Sequence, residues 1–196
     1  EAVRAAYALL LLGPQIPMLF MGEEFGARTP FYFFTDHHDG LADAVREGRR
    51  AEFAHFAAFA DPERRERIPD PNAVSTFADS DPYAAPRDAV HEAWLADTRT
   101  LLALRHERIV PRLHGAQALS TRVLGEAAVR ADWRLGDGSV LTIFLNLGTQ
   151  HAPAGEPPAA HAELLHETRA GAAAAVRDGN LPAQSAIVWL DGQTQQ

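Results

Sequence analysis

The sequence predicts an α/β portion followed by a small all-β, antiparallel domain, and three observations carry that expectation. An apolar run, Ile16-Pro17-Met18-Leu19-Phe20-Met21, stops at Gly22 and is followed at once by Glu23, Glu24 and Phe25. Residues 87–108 carry a helical stripe made by Val90, Trp94, Thr98, Leu101 and Leu102. From about Ile109 the spacing changes to short β segments broken by Gly and Pro.

Residues 2–12 are rich in Ala and Leu with Tyr7 among them, and read as a helix. Gly13 is expected to cap it in the left-handed region, and Pro14 to stop it. The run 16–21 is too short for a stable helix, and Pro14 and Pro17 would each remove a helical bond, so a strand covered on both faces is expected. Helix, short loop, buried strand and polar loop make one step of a barrel or of a doubly wound sheet. In both architectures chemistry gathers at the C-terminal ends of the strands, where residues 22–26 fall. Glu23 and Glu24 are therefore site candidates, with helix-start or solvent-facing acids as the plainer alternative.

Phe31, Tyr32, Phe33 and Phe34 follow. Aromatic faces suit the apolar faces of sugar rings, but strand alternation would place Phe31 and Phe33 on one side and Tyr32 and Phe34 on the other. The alternative is that all four pack a loop onto its scaffold. Asp36-His37-His38-Asp39 invites a metal reading, yet adjacent histidines on extended chain point apart and the spacing fits neither a zinc nor a calcium pattern. A polar loop end or a contact to sugar hydroxyls is the better reading. Residues 41–60 read as a helix with apolar patches at Leu41, Ala44 and Val45 and at Phe53, Phe56, Ala57 and Ala60, a bend at Gly48, and Arg49 and Arg50 toward solvent or the site rim. Residues 61–86 hold no lasting period and are expected to be irregular. Strands are expected at 127–135, 139–147, 162–168 and 185–190, with Gly136-Asp137-Gly138 turning a hairpin. Trp133, Ile143, Leu145 and Trp189 would form the core, and 152–160 and 171–175 would be loops.

A chain of 196 residues with 46% hydrophobic residues can bury ordinary cores. A net charge of −8 speaks against nucleic acid or an anionic membrane as partner. The longest apolar run falls short of the ~20 residues that a membrane helix needs. No cysteine is present, which removes disulfides and thiolate chemistry and suits a cytoplasmic protein. All 18 basic residues are Arg, so Schiff-base chemistry is excluded. Neither a Gly-x-Ser-x-Gly elbow nor a phosphate loop occurs, and no cofactor or metal is called for. The chain starts at Glu1 inside a helical pattern, as a C-terminal fragment of a longer protein would.

Pro17-Met18-Leu19-Phe20-Met21-Gly22-Glu23-Glu24-Phe25-Gly26 resembles the last barrel strand of the alpha-amylase clan of glycoside hydrolases, which ends in Gly-x-Glu beside the sugar site. Thr29-Pro30-Phe31-Tyr32-Phe33-Phe34-Thr35-Asp36-His37, Ala44-Val45-Arg46-Glu47-Gly48-Arg49-Arg50 and Ile68-Pro69-Asp70-Pro71 narrow the resemblance to the malto-oligosyltrehalose trehalohydrolases. These motifs lie within the first 80 residues or so. The resemblance implies that residues 1–108 are the last helix–strand–helix part of a (β/α)8 catalytic barrel and 109–196 a small antiparallel β-sandwich domain. It implies hydrolysis of the α-1,4 bond next to the terminal trehalose of maltooligosyl trehalose, with that substrate or a related α-glucan and the preceding part of the barrel as partners. Gly22, Glu23 and Phe25 would line the site, and the loop with Phe33, Asp36 and His37 would border the bound sugar. Glycoside hydrolysis needs two carboxyls across one bond, about 5–5.5 Å apart for retention and about 6.5–9.5 Å for inversion. Glu23 and Glu24, as neighbours on extended chain, cannot be that pair, and the family's catalytic carboxylates lie on earlier strands. No catalytic residue is therefore expected within the chain. A branching or debranching enzyme and a non-catalytic carbohydrate-binding or structural module are the alternatives.

Overall fold

A computed structural model describes residues 1–54, 56, 61, 63 and 67–192. The chain divides into two compact units, one made of Glu1–Met18 with Ala96–Gln196 and the other of Leu19–Leu95. This division differs from the boundary expected near residue 108, because α1 (Ala2–Leu12) packs on the β-sheet.

The sheet-bearing unit holds β1 (Gln117–Gly125), β2 (Ala128–Arg134), β3 (Val140–Asn146), β5 (Glu163–Glu167) and β7 (Ser185–Asp191) in one antiparallel sheet of order β1-β2-β3-β7-β5. β4 (Ala152–Pro153) and β6 (Asn180–Leu181) pair separately. The central strands β3 and β7 are buried along nearly their whole length, which explains their continuous apolar sequences Val-Leu-Thr-Ile-Phe-Leu and Ala-Ile-Val-Trp-Leu. On one face Phe144, Ile187 and Trp189 meet Leu181 and the small residues Ala172, Ala173 and Val176 of helix α5 (Ala172–Arg177). On the other face Ala5 and Ala8 of α1 meet Leu145 and Ala186; alanines at this spacing let the helix approach the sheet closely.

The expected hairpin is β2–β3. Its Leu135 carbonyl accepts the Gly138 N–H, and Gly138 sits at φ +85°, where a side chain would be strained. Gly136 is needed for a different reason: a Cβ there would lie 1.8 Å from the His114 carbonyl oxygen. Trp133 is only half-buried, so the core is carried by Ile143, Leu145 and Trp189 with Phe144 and Ile187. Residues 172–177 are helical rather than loop; four successive alanines favour that state and Gly171 at φ +81° opens it. β1 joins a sheet edge that the apolar pattern did not announce, with bulges at Ala118/Ser120 and Val123/Gly125.

Helix α4 (Ala89–Leu104) widens into a π turn at Arg105–Ile109 and ends in a 3-10 turn at Val110–Arg112. Its buried positions are Leu95, Thr98, Leu101, Arg105 and Ile109, whereas Val90 and Leu102 of the expected stripe are exposed. Arg105 continues the buried stripe because its guanidinium donates to the carbonyls of Leu11, Gly13 and Gln15 at 2.5–3.0 Å. These are carbonyls at and beyond the C-terminus of α1, which a helix end leaves unpaired. Gly13 accordingly takes an extended conformation, φ −68° and ψ 159°, instead of the left-handed cap expected of it. Burial pulls the Arg105 pKa below its ordinary value.

The buried strand expected at residues 16–21 is absent among the described residues. Residues 16–20 have no ladder partner among the described residues, with Ile16 93% and Met18 86% exposed. A strand exists only through neighbours that take up its backbone groups, and Pro17 supplies no N–H of its own. Helix α2 (Asp39–Phe53) runs without interruption through Gly48 and buries no residue. Leu41 is exposed, Phe53 meets Phe56 with ring centroids 5.5 Å apart, and Ala57 and Ala60 lie outside the described residues. The stretch expected to be irregular contains a short helix, α3 (Val74–Asp79), whose Thr76 hydroxyl donates to the Asp70 carbonyl at 2.6 Å.

Candidate functional site

Residues 20–27 form a tight turn organised by Gly22. Its φ of +89° suits glycine, and a Cβ would lie 2.7 Å from the Ala27 Cβ and 2.9 Å from the Pro82 Cβ. The Gly22 carbonyl accepts the N–H groups of Phe25 and Ala27, and Glu23–Phe25 form one 3-10 turn. Glu23 and Glu24 are thus on a turn, not on extended chain. The Phe20 N–H donates to Glu23 Oε2 at 2.8 Å, and the Gly22 N–H to Glu24 Oε2 at 2.9 Å. Two adjacent carboxylates behind a glycine fold the chain this way because each satisfies a backbone donor that the turn would leave open.

The carboxylates differ in their outer partners. Glu24 is half-buried and its Oε1 accepts the Tyr83 hydroxyl at 2.8 Å, which raises the Tyr83 pKa. Glu23 keeps an exposed side chain, while its carbonyl accepts the Trp94 indole N–H at 2.9 Å. Trp94 also covers Gly26, where a Cβ would come within 3.1 Å of the indole ring. Phe25 is buried against Tyr83 and His91, with the Arg87 guanidinium 5.6 Å from its ring. It walls a hollow of about 280 Å³ together with Arg28, Pro82, Pro86, Arg87 and His91. The charges around that hollow answer one another: Arg87 bonds Glu92, and Asp88 faces Arg28 and His91. The His91 N–H first, and then the His91 ring and other donors, hold the Asp88 carboxyl below its usual range against the effect of burial.

The second group of candidates lies in the loop before α2. Phe33 adopts φ +52°, so the alternation expected of the aromatic run fails at that residue. Phe31 and Phe34 pack edge-on in a line from Phe20 to Phe77, with centroids 5.0, 5.5 and 5.0 Å apart, while Phe33 lies 4.9 Å from the Arg49 guanidinium. Asn72 holds the rest of the loop: its Oδ1 accepts the Thr35 hydroxyl and the His37 N–H, both at 3.0 Å, and its Nδ2 donates to the Ala42 carbonyl. Asp70 in turn accepts the Asn72 N–H and the Arg46 guanidinium. Burial pushes the Asp70 carboxyl up, but those two partners outweigh it and its pKa is lowered. Asp36 and His37 are exposed.

Gly22, Glu23 and Phe25 therefore share one turn, and Phe33, Asp36 and His37 one loop. Tyr83, Trp94, Asn72 and Phe77 were not singled out from sequence as site residues. For Asn72 the readable signal is Asp70-Pro71-Asn72, an Asx turn ahead of a helix.

Comparisons with known proteins bear on these features. A family model described as a domain of unknown function, DUF3459, matches residues 116–188. The malto-oligosyltrehalose trehalohydrolase of Deinococcus radiodurans is 45% identical over 115 residues, which cover 58% of this chain and 18% of that protein. The one from Arthrobacter ramosus is 47% identical over 108 residues, 54% of this chain and 18% of its own. That of Saccharolobus solfataricus is 55% identical over 53 residues, 26% of this chain and 9% of its own. A crystal structure from Salmonella typhimurium, provisionally described as an alpha amylase, superposes with a TM-score of 0.76 at 36% identity, covering 97% of this chain and 30% of that one. The chain thus spans less than a fifth of the curated relatives it matches. By sequence it is a relative of the malto-oligosyltrehalose trehalohydrolases, and by fold it matches an amylase-type glycoside hydrolase.

Proposed function

We propose that the chain supplies the C-terminal part of a glycoside hydrolase that cleaves the α-1,4 bond next to the terminal trehalose of maltooligosyl trehalose and releases trehalose. The observation that carries the reading is the identity of 45–47% to two malto-oligosyltrehalose trehalohydrolases over more than half of the chain. In this reading residues 16–21 are the last strand of a (β/α)8 barrel, completed by neighbours from the preceding part of the same protein. Their exposed apolar side chains, Ile16, Met18 and Phe20, are the surface such neighbours would cover. Gly22, Glu23 and Phe25 then stand at the barrel mouth, and the loop holding Phe33, Asp36 and His37 borders the sugar.

The chain does not carry the reaction alone. Glu23 and Glu24 are spent on the backbone of their own turn and on Tyr83, which leaves no pair of carboxyls facing one bond there. The preceding barrel strands supply the nucleophile and the acid. The test is trehalose release from maltooligosyl trehalose by the full product of the reading frame that contains this sequence, beside the 196-residue chain. The full product should release trehalose and the chain should not. The broad match to the Salmonella structure favours a second reading, a hydrolase of other α-glucans. A full product that shortens linear α-glucan but spares maltooligosyl trehalose would establish that one instead.

A further inference from the structure

Among the described residues three hollows stand as candidates for a ligand, and their walls separate them. The one beside Phe25 has its charges paired among themselves. A second, of about 570 Å³, lies around Gly125, Asn146 and His151 at one end of the sheet and has no Phe, Tyr or Trp in its wall. The third, of about 460 Å³, is bounded by Phe34 and Phe77 with Ala73 and Val74, and carries Asp36 and Asn72. We propose that this third hollow binds glucosyl units of an α-glucan, with Phe77 as the platform for a sugar ring and Asp36 as the acceptor of its hydroxyls.

Four features of the molecule argue for that occupant. A pyranose ring has an apolar C–H face and a rim of hydroxyls, so it needs an aromatic surface beside fixed polar groups. Phe77 is 55% exposed yet held edge-on by Phe34, with centroids 5.0 Å apart, and so presents a fixed ring to solvent. Asp36 lies between two anchored neighbours: Thr35 donates its N–H to the Pro71 carbonyl and its hydroxyl to Asn72, and His37 donates its N–H to Asn72. The backbone under Asp36 is therefore set in advance, which lowers the ordering cost of binding. Among the described residues no hydrogen bond or ion pair engages the Asp36 carboxylate itself, and no group of three metal-binding side chains exists. A carboxylate can accept two neighbouring hydroxyls at once. The net charge of −8 disfavours anionic ligands and is indifferent to a neutral glucan.

The proposal rests on the proposed function for the identity of the sugar, and two substitutions test it in the full product of the reading frame. Asp36→Asn keeps the shape of an exposed side chain while removing its charge. Phe77→Leu keeps apolar contact with Phe34 while removing the ring. Each should raise KM for maltooligosyl trehalose about tenfold, as expected for one lost charged or stacking contact, with kcat and the melting temperature nearly unchanged. An unaltered KM in Asp36→Asn overturns the proposal, whatever Phe77→Leu does to folding. Should the full product release no trehalose, the functional reading fails by itself, and calorimetric titration with maltotetraose decides the hollow. Binding that weakens in both variants sustains the site, and absence of binding to the unsubstituted protein rejects it.

Discussion

Replacing Arg105 by Met isolates the cap that a buried guanidinium places on a helix end more than 90 residues away in sequence. Methionine keeps most of the stem and its packing but removes the donors to Leu11, Gly13 and Gln15. Gln15 is exposed, so water can replace the lost donor at its carbonyl, whereas Leu11 and Gly13 are buried. Two buried carbonyls left open cost about 1–3 kcal/mol each. The sum is reduced by no longer burying a cation, an effect visible in the lowered pKa of Arg105. A net loss of about 3 kcal/mol follows, equivalent to a fall of roughly 6–12 °C in melting temperature for a chain of this size. Thermal and urea unfolding followed by circular dichroism measure it. Arg105→Lys, which retains charge but cannot span three carbonyls, should lose less. A Met variant within about 0.5 kcal/mol of the unsubstituted protein would show that the carbonyls are satisfied without the arginine, and the capping argument would fall.

Two further outcomes concern stability. Gly22→Ala should destabilise by about 2 kcal/mol or more, because a left-handed φ costs about 1–2 kcal/mol and the new Cβ also meets Ala27 and Pro82. Gly171→Ala, also at positive φ but in open space, should cost only about 1 kcal/mol, so equal losses in urea unfolding would refute the steric part. Asp132 on β2 is buried, which alone would raise its pKa, but hydrogen bonds from Arg130, Ser120 and Thr142 prevail and lower it. Its contribution is thus complete above the unfolded carboxylate pKa of about 3.9 and is lost as pH falls through the lower folded value. Acid unfolding of Asp132→Asn should be shallower than that of the parent, and parallel curves would contradict the assignment.

What the sequence revealed follows the range of the forces involved. Helices α1 and α4 and the β2–β3 hairpin were legible because each writes its own period or turn residues. β7 was legible as a bounded apolar run, and β5 by the pair Leu164-Leu165 that it carries among polar residues. β1 was not, since Gln117-Ala-Leu-Ser-Thr-Arg-Val-Leu-Gly125 is held by its pairing with β2 more than by an apolar face. Residues 16–21 show the converse failure: an apolar composition marks what can be covered, not whether a partner stands beside it. In the candidate site the glycine and the two carboxylates were readable. Their partners were not, because Tyr83 lies 59 residues from Glu24 and Trp94 71 residues from Glu23.

The packing of α1 on β3 and β7 sets an order of events during synthesis. Ala5 and Ala8 find Ala186 only after the residues between them have been made. At about 5–20 residues per second, the helix waits roughly 10–40 s for its seat. Throughout that interval Ala5 and Ala8, both fully buried in the finished fold, have no sheet to rest on. The residues between are translated first and can settle while the helix is still unmatched. Mutations that slow or weaken β7 should therefore lower the yield of native protein more than they lower its stability, and a chaperone that shields short apolar helices should restore it.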